Sequence, residues 1–245
     1  MQRYFSSLPF INNRLLISGD DAKHIQKVMR MQEGNSIIIV TEKVAYKTVI
    51  IGFEGQDVQV EMIEGPLKSN ELPKKITICC GLPKGEKLDL ITQKGTELGM
   101  DELVLFDAER SIVKWDSSKG LKKQQRLQKI AKEAAEQSHR NKIPQISDML
   151  SFKQLLSMSS KYDCLYVADE EEAKLTDRKR LVDQLKEALK FDSILVVFGP
   201  EGGLSRREIS ELHEKGFHSI SLGPRILRAE TAPLYVLSAI SYELE

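Results

Sequence analysis

The sequence predicts an α/β protein in which a parallel sheet covered by helices follows a smaller domain of β-strands. Two regions of different periodicity support this fold class. Apolar and polar residues alternate in residues 3–65, whereas short apolar strands alternate with helical patterns from Lys75 onward. Residues 65–73 contain Gly and Pro and have the composition of a linker. We therefore expect a small β-barrel domain in residues 1–70 and an α/β domain in residues 75–245.

The composition excludes several classes of protein. The 245 residues carry 36 basic and 36 acidic side chains, so any nucleic-acid binding must come from a local patch of positive charge. No apolar run approaches the ~18 residues of a membrane helix, and residues 1–6 lack an apolar signal core. We expect a cytoplasmic protein with no membrane partner. The three cysteines, two of them adjacent (Cys79 and Cys80), do not form a disulfide framework or a Cys-x-x-Cys zinc site, and we expect no metal.

The first region has strong strand signals and one helix. Asp57-Val-Gln-Val-Glu-Met62 alternates strictly, with Val58, Val60 and Met62 on one face. Ser36–Val40 and Val44–Phe53 are rich in β-branched residues and also predict strands. A short helix is predicted over Asp20–Met29, because its acidic residues stand at the positive end of the helix dipole.

The second region alternates strands and helices. The candidate strands are Ile76–Cys80, Glu102–Phe106, Asp163–Ala168, Ile194–Phe198 and Phe217–Leu222. The candidate helices are Lys87–Leu98, Leu121–His139, Arg178–Leu189, Ser205–Lys215 and Glu230–Leu244. Short apolar strands separated by helices predict a parallel sheet with helices on both faces.

The most informative motif follows the strand at Ile194. That strand leads into Gly199-Pro-Glu-Gly-Gly203, and a helix begins directly afterwards. Ser205 and Glu208 have the spacing of a capping box, and Gly216 fits the left-handed position that ends a helix. Glycines at the carboxyl end of a parallel strand let a ligand approach the backbone. The alternative is a tight turn that binds nothing; Gly-x-x-x-x-Gly-Lys-Ser/Thr and Gly-x-Gly-x-x-Gly nucleotide motifs are absent.

A second Gly-Pro turn occurs one strand–helix unit later. Ser219–Pro233 predicts a strand, a turn at Gly223-Pro-Arg225 and the start of the last helix. We expect the two turns to lie at the same end of adjacent strands and to hold one ligand between them. Two unrelated tight turns are the alternative.

The helix in residues 120–142 is strongly basic. It holds seven Lys or Arg residues and only two acidic ones, Glu133 and Glu136. The inner face comprises Leu127, Ile130, Ala131, Ala134 and Ser138, and the outer stripe comprises Lys122, Arg126, Lys129, Glu133, Glu136 and Arg140. This stripe could bind an RNA backbone or could be an ordinary solvated helix face.

These motifs together resemble those of the bacterial RsmE family of 16S ribosomal RNA methyltransferases. The resemblance rests on both Gly-Pro segments and covers essentially the whole chain. The other matching segments are His24–Arg30, Leu82-Pro-Lys-Gly85, Gln93–Gly99, Arg110–Lys114 and Glu133–Arg140. It implies an α/β SPOUT-type parallel sheet with a C-terminal trefoil knot, preceded by a PUA-like β-barrel that binds RNA.

The resemblance also implies a reaction and its partners. The expected reaction is transfer of a methyl group from S-adenosylmethionine to N3 of one uridine in the decoding region of 16S ribosomal RNA. The expected substrate is the assembled small ribosomal subunit, and the expected enzyme is a homodimer. Two alternatives stay open: a non-catalytic RNA-binding factor of ribosome assembly, and a methyltransferase with another RNA target.

Residue roles follow from the same resemblance. The expected cofactor-binding residues are Val167, Ala168, Gly199, Pro200, Glu201, Gly202, Gly203, Leu222, Gly223, Ile226, Leu227 and Arg228. Glu201, Arg225 and Arg228 are the candidates for the catalytic groups, since uracil N3 must lose a proton and the anion must be stabilised. From their charge and their positions in the motifs, the expected RNA contacts are Arg30, Lys94, Arg110, Lys114, Arg126 and Arg140.

Overall fold

The computed structural model describes residues 1–171 and 180–244. The chain divides into two compact units. One comprises residues 1–71 with 135–142, and the other comprises residues 72–134 with 143–245. Nothing in the sequence predicts that segment 135–142 belongs to the first unit.

The first unit is built on a five-stranded sheet. Its strands are β1 (Arg3–Phe5), β2 (Arg14–Ile17), β3 (Ser36–Thr41), β4 (Val44–Glu54) and β5 (Asp57–Glu64), in the spatial order β1-β3-β4-β5-β2. The alternation in β5 predicts its core face correctly, because Val58 and Val60 are buried and their neighbours along the strand are partly exposed. Since β1 and β2 form the two edges, the predicted barrel is an open half-barrel.

The helical segment of this unit has two parts. The α-helix α1 (Gly19–Lys23) continues into one π-helical turn, His24–Val28, where the sequence predicts a single helix from Asp20 to Met29. Ala22 and Ile25 are buried in the same core as the sheet, at the spacing of one helical face.

The second unit contains a six-stranded parallel sheet. Its strands are β6 (Lys75–Gly81), β7 (Glu102–Asp107), β8 (Gln145–Ser151), β9 (Cys164–Ala168), β10 (Ser193–Phe198) and β11 (His218–Ile220), in the order β11-β9-β10-β6-β7-β8. Both faces are buried, because Val196 and Phe198 lie in one core whereas Leu195 and Val197 lie in the other. Cys79 and Cys80 are likewise buried on opposite faces, so both are core residues.

The helices cover both faces of this sheet. They are α2 (Lys87–Glu97), α3 (Ser117–Gln137), α4 (Phe152–Met158), α5 (Leu181–Ala188), α6 (Arg206–Glu214) and α7 (Thr231–Leu244), with a 3-10 turn at Ser159–Lys161. Leu88 of α2 and Leu237 of α7 belong to one core, and Leu155 of α4 and Leu212 of α6 belong to the other. Residues 178 and 179 of the predicted helix Arg178–Leu189 lie outside the described residues.

The sequence analysis missed β8 and α4. β8 is the edge strand beside β7, and Ile146 is its one buried residue. An edge strand faces solvent along much of its length, so it lacks the apolar run that reveals the central strands. The strand order does not by itself establish a C-terminal knot, which stays a prediction.

Candidate active site

A cavity of about 410 Å³ opens at the carboxyl ends of three strands of the second unit. Ala168, Phe198 and Ile220, at the ends of β9, β10 and β11, line it. The prediction that β10 and β11 are adjacent is wrong, because β9 pairs with both and separates them. The end of β9 therefore supplies a wall between the two Gly-Pro turns. This is where open parallel sheets bind their ligands.

Residues 199–203, the first loop, form a tight turn. The Gly203 N–H donates to the Pro200 carbonyl oxygen over 2.9 Å, and Gly203 has a φ of +68°, which favours glycine. A Cβ on Gly199 would lie 2.7 Å from the carbonyl carbon of Gly203. Gly81 at the end of β6 is equally constrained, because its Cβ would lie 2.8 Å from Pro200 Cδ. The first loop is therefore fixed by backbone packing.

The helix after the first loop begins with the predicted capping box. The Ser205 hydroxyl accepts a hydrogen bond from the Glu208 N–H (3.2 Å), and Glu208 Oε2 accepts one from the Ser205 N–H (2.8 Å). Glu208 Oε1 also accepts the Glu109 N–H over 2.9 Å. This buried carboxylate thus joins the start of α6 to the segment after β7. Gly216 follows the end of α6 with a φ of +87°, as predicted.

Residues 222–230, the second loop, are more open. Ile226 is 75% exposed, and Arg225 and Arg228 are exposed although both line the cavity. Within residues 1–171 and 180–244, neither guanidinium has a carboxylate partner. A Cβ on Gly223 would meet no atom within 4 Å, although its φ is +97°. The second loop therefore presents two free cations beside the cavity.

Glu201 of the first loop is held in a network of charges. Its Oε1 accepts the Lys84 N–H over 2.9 Å and the Lys87 ammonium over 2.8 Å. Lys87 Nζ also lies 3.3 Å from Glu230 Oε2. Burial by itself raises the pKa of Glu201, but the hydrogen bonds from Lys87 and the Lys84 N–H outweigh it and hold the pKa below its ordinary value. Glu201 is thus an ionised carboxylate and a weak base.

The wall from β9 carries a second ion pair. Asp169 lines the cavity and accepts two hydrogen bonds from the Arg206 guanidinium, each 2.9 Å long. Burial alone would raise the pKa of Asp169, but the Arg206 hydrogen bonds and the N–H of Glu171 lower it overall. Because Arg206 is the first residue of α6, this pair fixes the end of β9 to the helix that follows the first loop.

The structure brings most of the predicted cofactor residues together. Those that line the cavity are Ala168, Gly199, Pro200, Glu201, Gly203, Leu222, Ile226, Leu227 and Arg228. Val167, Gly202 and Gly223 are neighbours of lining residues but do not line it themselves. The sequence analysis missed Lys87 and Glu170, whose positions beside the cavity depend on tertiary packing.

The predicted RNA contacts have different local environments. Arg30 and Lys114 are exposed, Lys94 pairs with Glu97, and Arg126 pairs with Asp89. Arg110 donates to the Gly202 carbonyl oxygen over 3.1 Å, so it contacts the first loop.

One of these contacts requires correction. The expected position of Arg140 on an exposed stripe is wrong, because this residue is only 3% exposed. Its guanidinium pairs with Glu71 over 2.6 Å, and Glu71 also accepts the Asn141 N–H over 2.7 Å. The helix α3 ends at Gln137, so Arg140 does not continue its helical stripe. A guanidinium buried in an ion pair is not available to an RNA phosphate.

The residues of the cavity fit S-adenosylmethionine. This donor combines a flat adenine, a ribose and an amino-acid tail with a positively charged sulfur. Phe198, Ile226 and Leu227 offer apolar surface for a ring, and Glu170 offers negative charge. The volume lies in the range of roughly 300–1,000 Å³ that is typical of small-molecule sites. No group of three His, Cys, Asp or Glu side chains suited to a metal occurs among residues 1–171 and 180–244.

Comparisons with known proteins identify the family of this chain. A family model described as an RNA methyltransferase domain matches residues 70–241, and one described as an RNA methyltransferase PUA domain matches residues 17–63. These matches confirm the predicted PUA-like domain, whose sheet is a half-barrel, and the predicted SPOUT-type parallel sheet. Ribosomal RNA small subunit methyltransferase E of Bacillus subtilis is 45% identical, with 100% of this chain and 98% of the relative covered.

Two solved structures share both the fold and part of the sequence. One is ribosomal RNA small subunit methyltransferase E from Neisseria gonorrhoeae, bound to S-adenosylmethionine. It is 27% identical with a TM-score of 0.84, and the match covers 99% of this chain and 98% of that chain. A Legionella pneumophila protein in complex with the same cofactor is 26% identical with a TM-score of 0.85, and the match covers 98% of this chain and 97% of that chain. The chain therefore belongs to the ribosomal RNA small subunit methyltransferase E family.

Proposed function

We propose that this protein transfers a methyl group from S-adenosylmethionine to N3 of one uridine in 16S ribosomal RNA. The observation that carries the proposal is the match over the full chain to the Bacillus subtilis methyltransferase, together with a cavity that both Gly-Pro loops line. The Neisseria gonorrhoeae relative binds S-adenosylmethionine, which supports the choice of cofactor. When bound, this cofactor supplies an electrophilic methyl group.

The two loops make different contacts with the cofactor. The first loop supplies a rigid backbone surface with no side chain at Gly199 or Gly203. Residues 222–227 of the second loop contact adenine with backbone groups. Phe198 and Leu227 exclude water from the apolar part of the cofactor, and Glu170 faces its positive charges.

The chemistry requires charge stabilisation. Uracil N3 carries a proton and is a weak nucleophile, so the proton must pass to a water molecule before or during methyl transfer. Arg225 and Arg228 are exposed at the cavity and favour the uridylate anion by placing positive charge beside it. Glu201 was a candidate for the proton acceptor, but its low pKa suits it better to holding Lys87.

The substrate is the assembled small ribosomal subunit, and the working unit is a homodimer. α2 and α7 expose Leu90, Tyr235 and Tyr242, which supports packing of a second copy on this face. A ribosomal substrate places the protein in the cytoplasm. No helix in the described residues is long and apolar enough to cross a membrane.

A labelling experiment tests this function. Purified protein is incubated with S-adenosylmethionine labelled in the methyl group and with small subunits from a strain that lacks the enzyme, and the labelled nucleoside is then identified. We expect 3-methyluridine at a single position of 16S ribosomal RNA. Label in another nucleoside or RNA would overturn the target. Absence of label, with folded protein and an active control methyltransferase, would favour the non-catalytic assembly factor.

A further inference from the structure

Lys87 stands at an unusual place for a lysine. It is the first residue of α2, and a positive charge there faces the positive end of the helix dipole. The residue before it, Glu86, makes no side-chain capping hydrogen bond. The local sequence therefore does not favour Lys87 at this position, and its stabilising partners must come from elsewhere in the fold.

These partners come from both loops of the cavity. Lys87 Nζ lies 2.8 Å from Glu201 Oε1 in the first loop and 3.3 Å from Glu230 Oε2 at the end of the second. The three side chains are 27%, 30% and 15% exposed, respectively, so water screens these pairs less than it screens surface pairs. No other pair of charges in residues 1–171 and 180–244 joins the two loops.

The wider contacts make this lysine a link between three segments. Glu201 also accepts the Lys84 N–H, which ties the first loop to the turn that precedes α2. Glu230 directly precedes α7, and its Oε2 has no hydrogen-bond donor apart from the ion pair with Lys87. Loss of the ammonium would leave this buried carboxylate oxygen uncompensated, which is costly.

We propose that Lys87 is a positioning residue for methyl transfer: its ammonium joins Glu201 to Glu230 and holds the two loops at the separation that the cofactor requires. The inference rests on the proposed function of the cavity. It assigns Lys87 a role through two glutamates of the protein and no contact with the uridine. Its loss should therefore act on cofactor affinity before it acts on the chemical step.

The test measures binding of S-adenosylmethionine to the full-length protein by calorimetry, without RNA. K87M removes the charge and keeps the apolar stem, so we expect Kd to rise about tenfold or more. K87R keeps the charge and should restore Kd to within about threefold of the wild-type value. E230Q, which leaves the lysine in place, provides a second variant and should also weaken binding.

K74M is the matched control. Lys74 is also largely buried and pairs with Asp192 over 3.1 Å, but it precedes β6 and does not line the cavity. We expect its loss to leave Kd unchanged. Hydrogen exchange of the ligand-free proteins gives an independent readout, because amides of both loops should exchange faster in K87M and not in K74M.

The outcomes separate this inference from the proposed function. No binding of S-adenosylmethionine by the wild-type protein would contradict the function itself. Wild-type Kd in K87M with a reduced kcat would overturn the positioning role and make Lys87 a group that touches the substrate. Unchanged Kd and kcat in both K87M and E230Q would also overturn it. Weak binding in K87M and E230Q, restored in K87R and unaffected in K74M, would establish it.

Discussion

The first and second loops line the same cavity but are built in opposite ways. The first loop is packed against its own backbone so closely that a Cβ on Gly199 would lie 2.7 Å from a backbone carbon. The second loop leaves open space around Gly223 and exposes Arg225 and Ile226. One side of the site is thus formed before any ligand arrives, and the other offers exposed charged side chains to a ligand.

This difference predicts separate roles for the two loops in cofactor binding and in the chemical step. A rigid surface favours affinity for the cofactor, because the protein loses little conformational entropy on binding. Exposed cations stabilise negative charge that develops on the substrate. Backbone changes in the first loop should therefore abolish cofactor binding, and loss of the arginines of the second loop should mainly reduce the chemical step.

Gly199→Ala should have the largest effect. The added methyl group would collide with backbone atoms of Gly203 and Leu204 at 2.7 and 2.8 Å, so the first loop must move. We expect the affinity for S-adenosylmethionine to fall about a hundredfold or more, measured by calorimetry, because the displaced loop no longer fits the cofactor.

Gly120→Ala is the matched control. Gly120 lies in α3, and its Cβ would meet no atom within 4 Å. We expect wild-type affinity and about 0.5–1 kcal/mol of additional stability, because Ala favours a helix more than Gly does. Wild-type affinity in a folded Gly199→Ala variant would remove the first loop from the cofactor site.

Replacing both Arg225 and Arg228 by Gln should mainly reduce turnover. These residues are proposed to stabilise the uridylate, so we expect kcat to fall about 100-fold. The Kd for S-adenosylmethionine should change by less than about threefold, because backbone groups of the second loop make the cofactor contacts. Kd from calorimetry and kcat from methylation assays separate the two effects. An equal loss of cofactor affinity and kcat would contradict the separate roles proposed for the two loops.

Gly223→Ala should cost much less than Gly199→Ala. The site has room for a Cβ, so the cost is that of the left-handed backbone, about 1 kcal/mol. We expect a decrease of cofactor affinity by about threefold to tenfold, measured in the same way. A loss as large as that in Gly199→Ala would mean that the second loop is as rigid as the first.

The Asp169–Arg206 pair should give the smallest effect, on stability at different pH values. Folding lowers the pKa of Asp169. The carboxylate therefore adds to the free energy of unfolding above its unfolded-state pKa of about 3.9, and this contribution is lost as the pH falls through its folded-state pKa. Arg206→Gln should therefore be less stable than wild type by about 0.5–1 kcal/mol at pH 7, because Arg206 is half exposed.

Urea unfolding checks this prediction. The difference in the free energy of unfolding between wild type and Arg206→Gln should decrease towards pH 3. A difference that stays constant between pH 7 and pH 3 would show that the pair contributes through packing alone.

Local patterns predicted much of the fold and part of the site. The central strands, the capping box at Ser205 and the glycine after α6 depend on neighbouring residues, so the sequence displays them directly. The edge strand β8 was missed because it buries little apolar surface. The burial of Arg140 and the position of Lys87 depend on partners 69 or more residues away, which no local pattern contains.

A crystal structure of the protein with S-adenosylmethionine would show where the cofactor binds and which loop moves. We predict that the cofactor lies in the cavity at the ends of β9, β10 and β11, with its adenine against the backbone of residues 222–227. We also predict that the first loop keeps its present conformation and that the second loop closes over the ligand. Cofactor bound outside this cavity, or a first loop that rearranges while the second stays fixed, would contradict the proposed roles of the two loops.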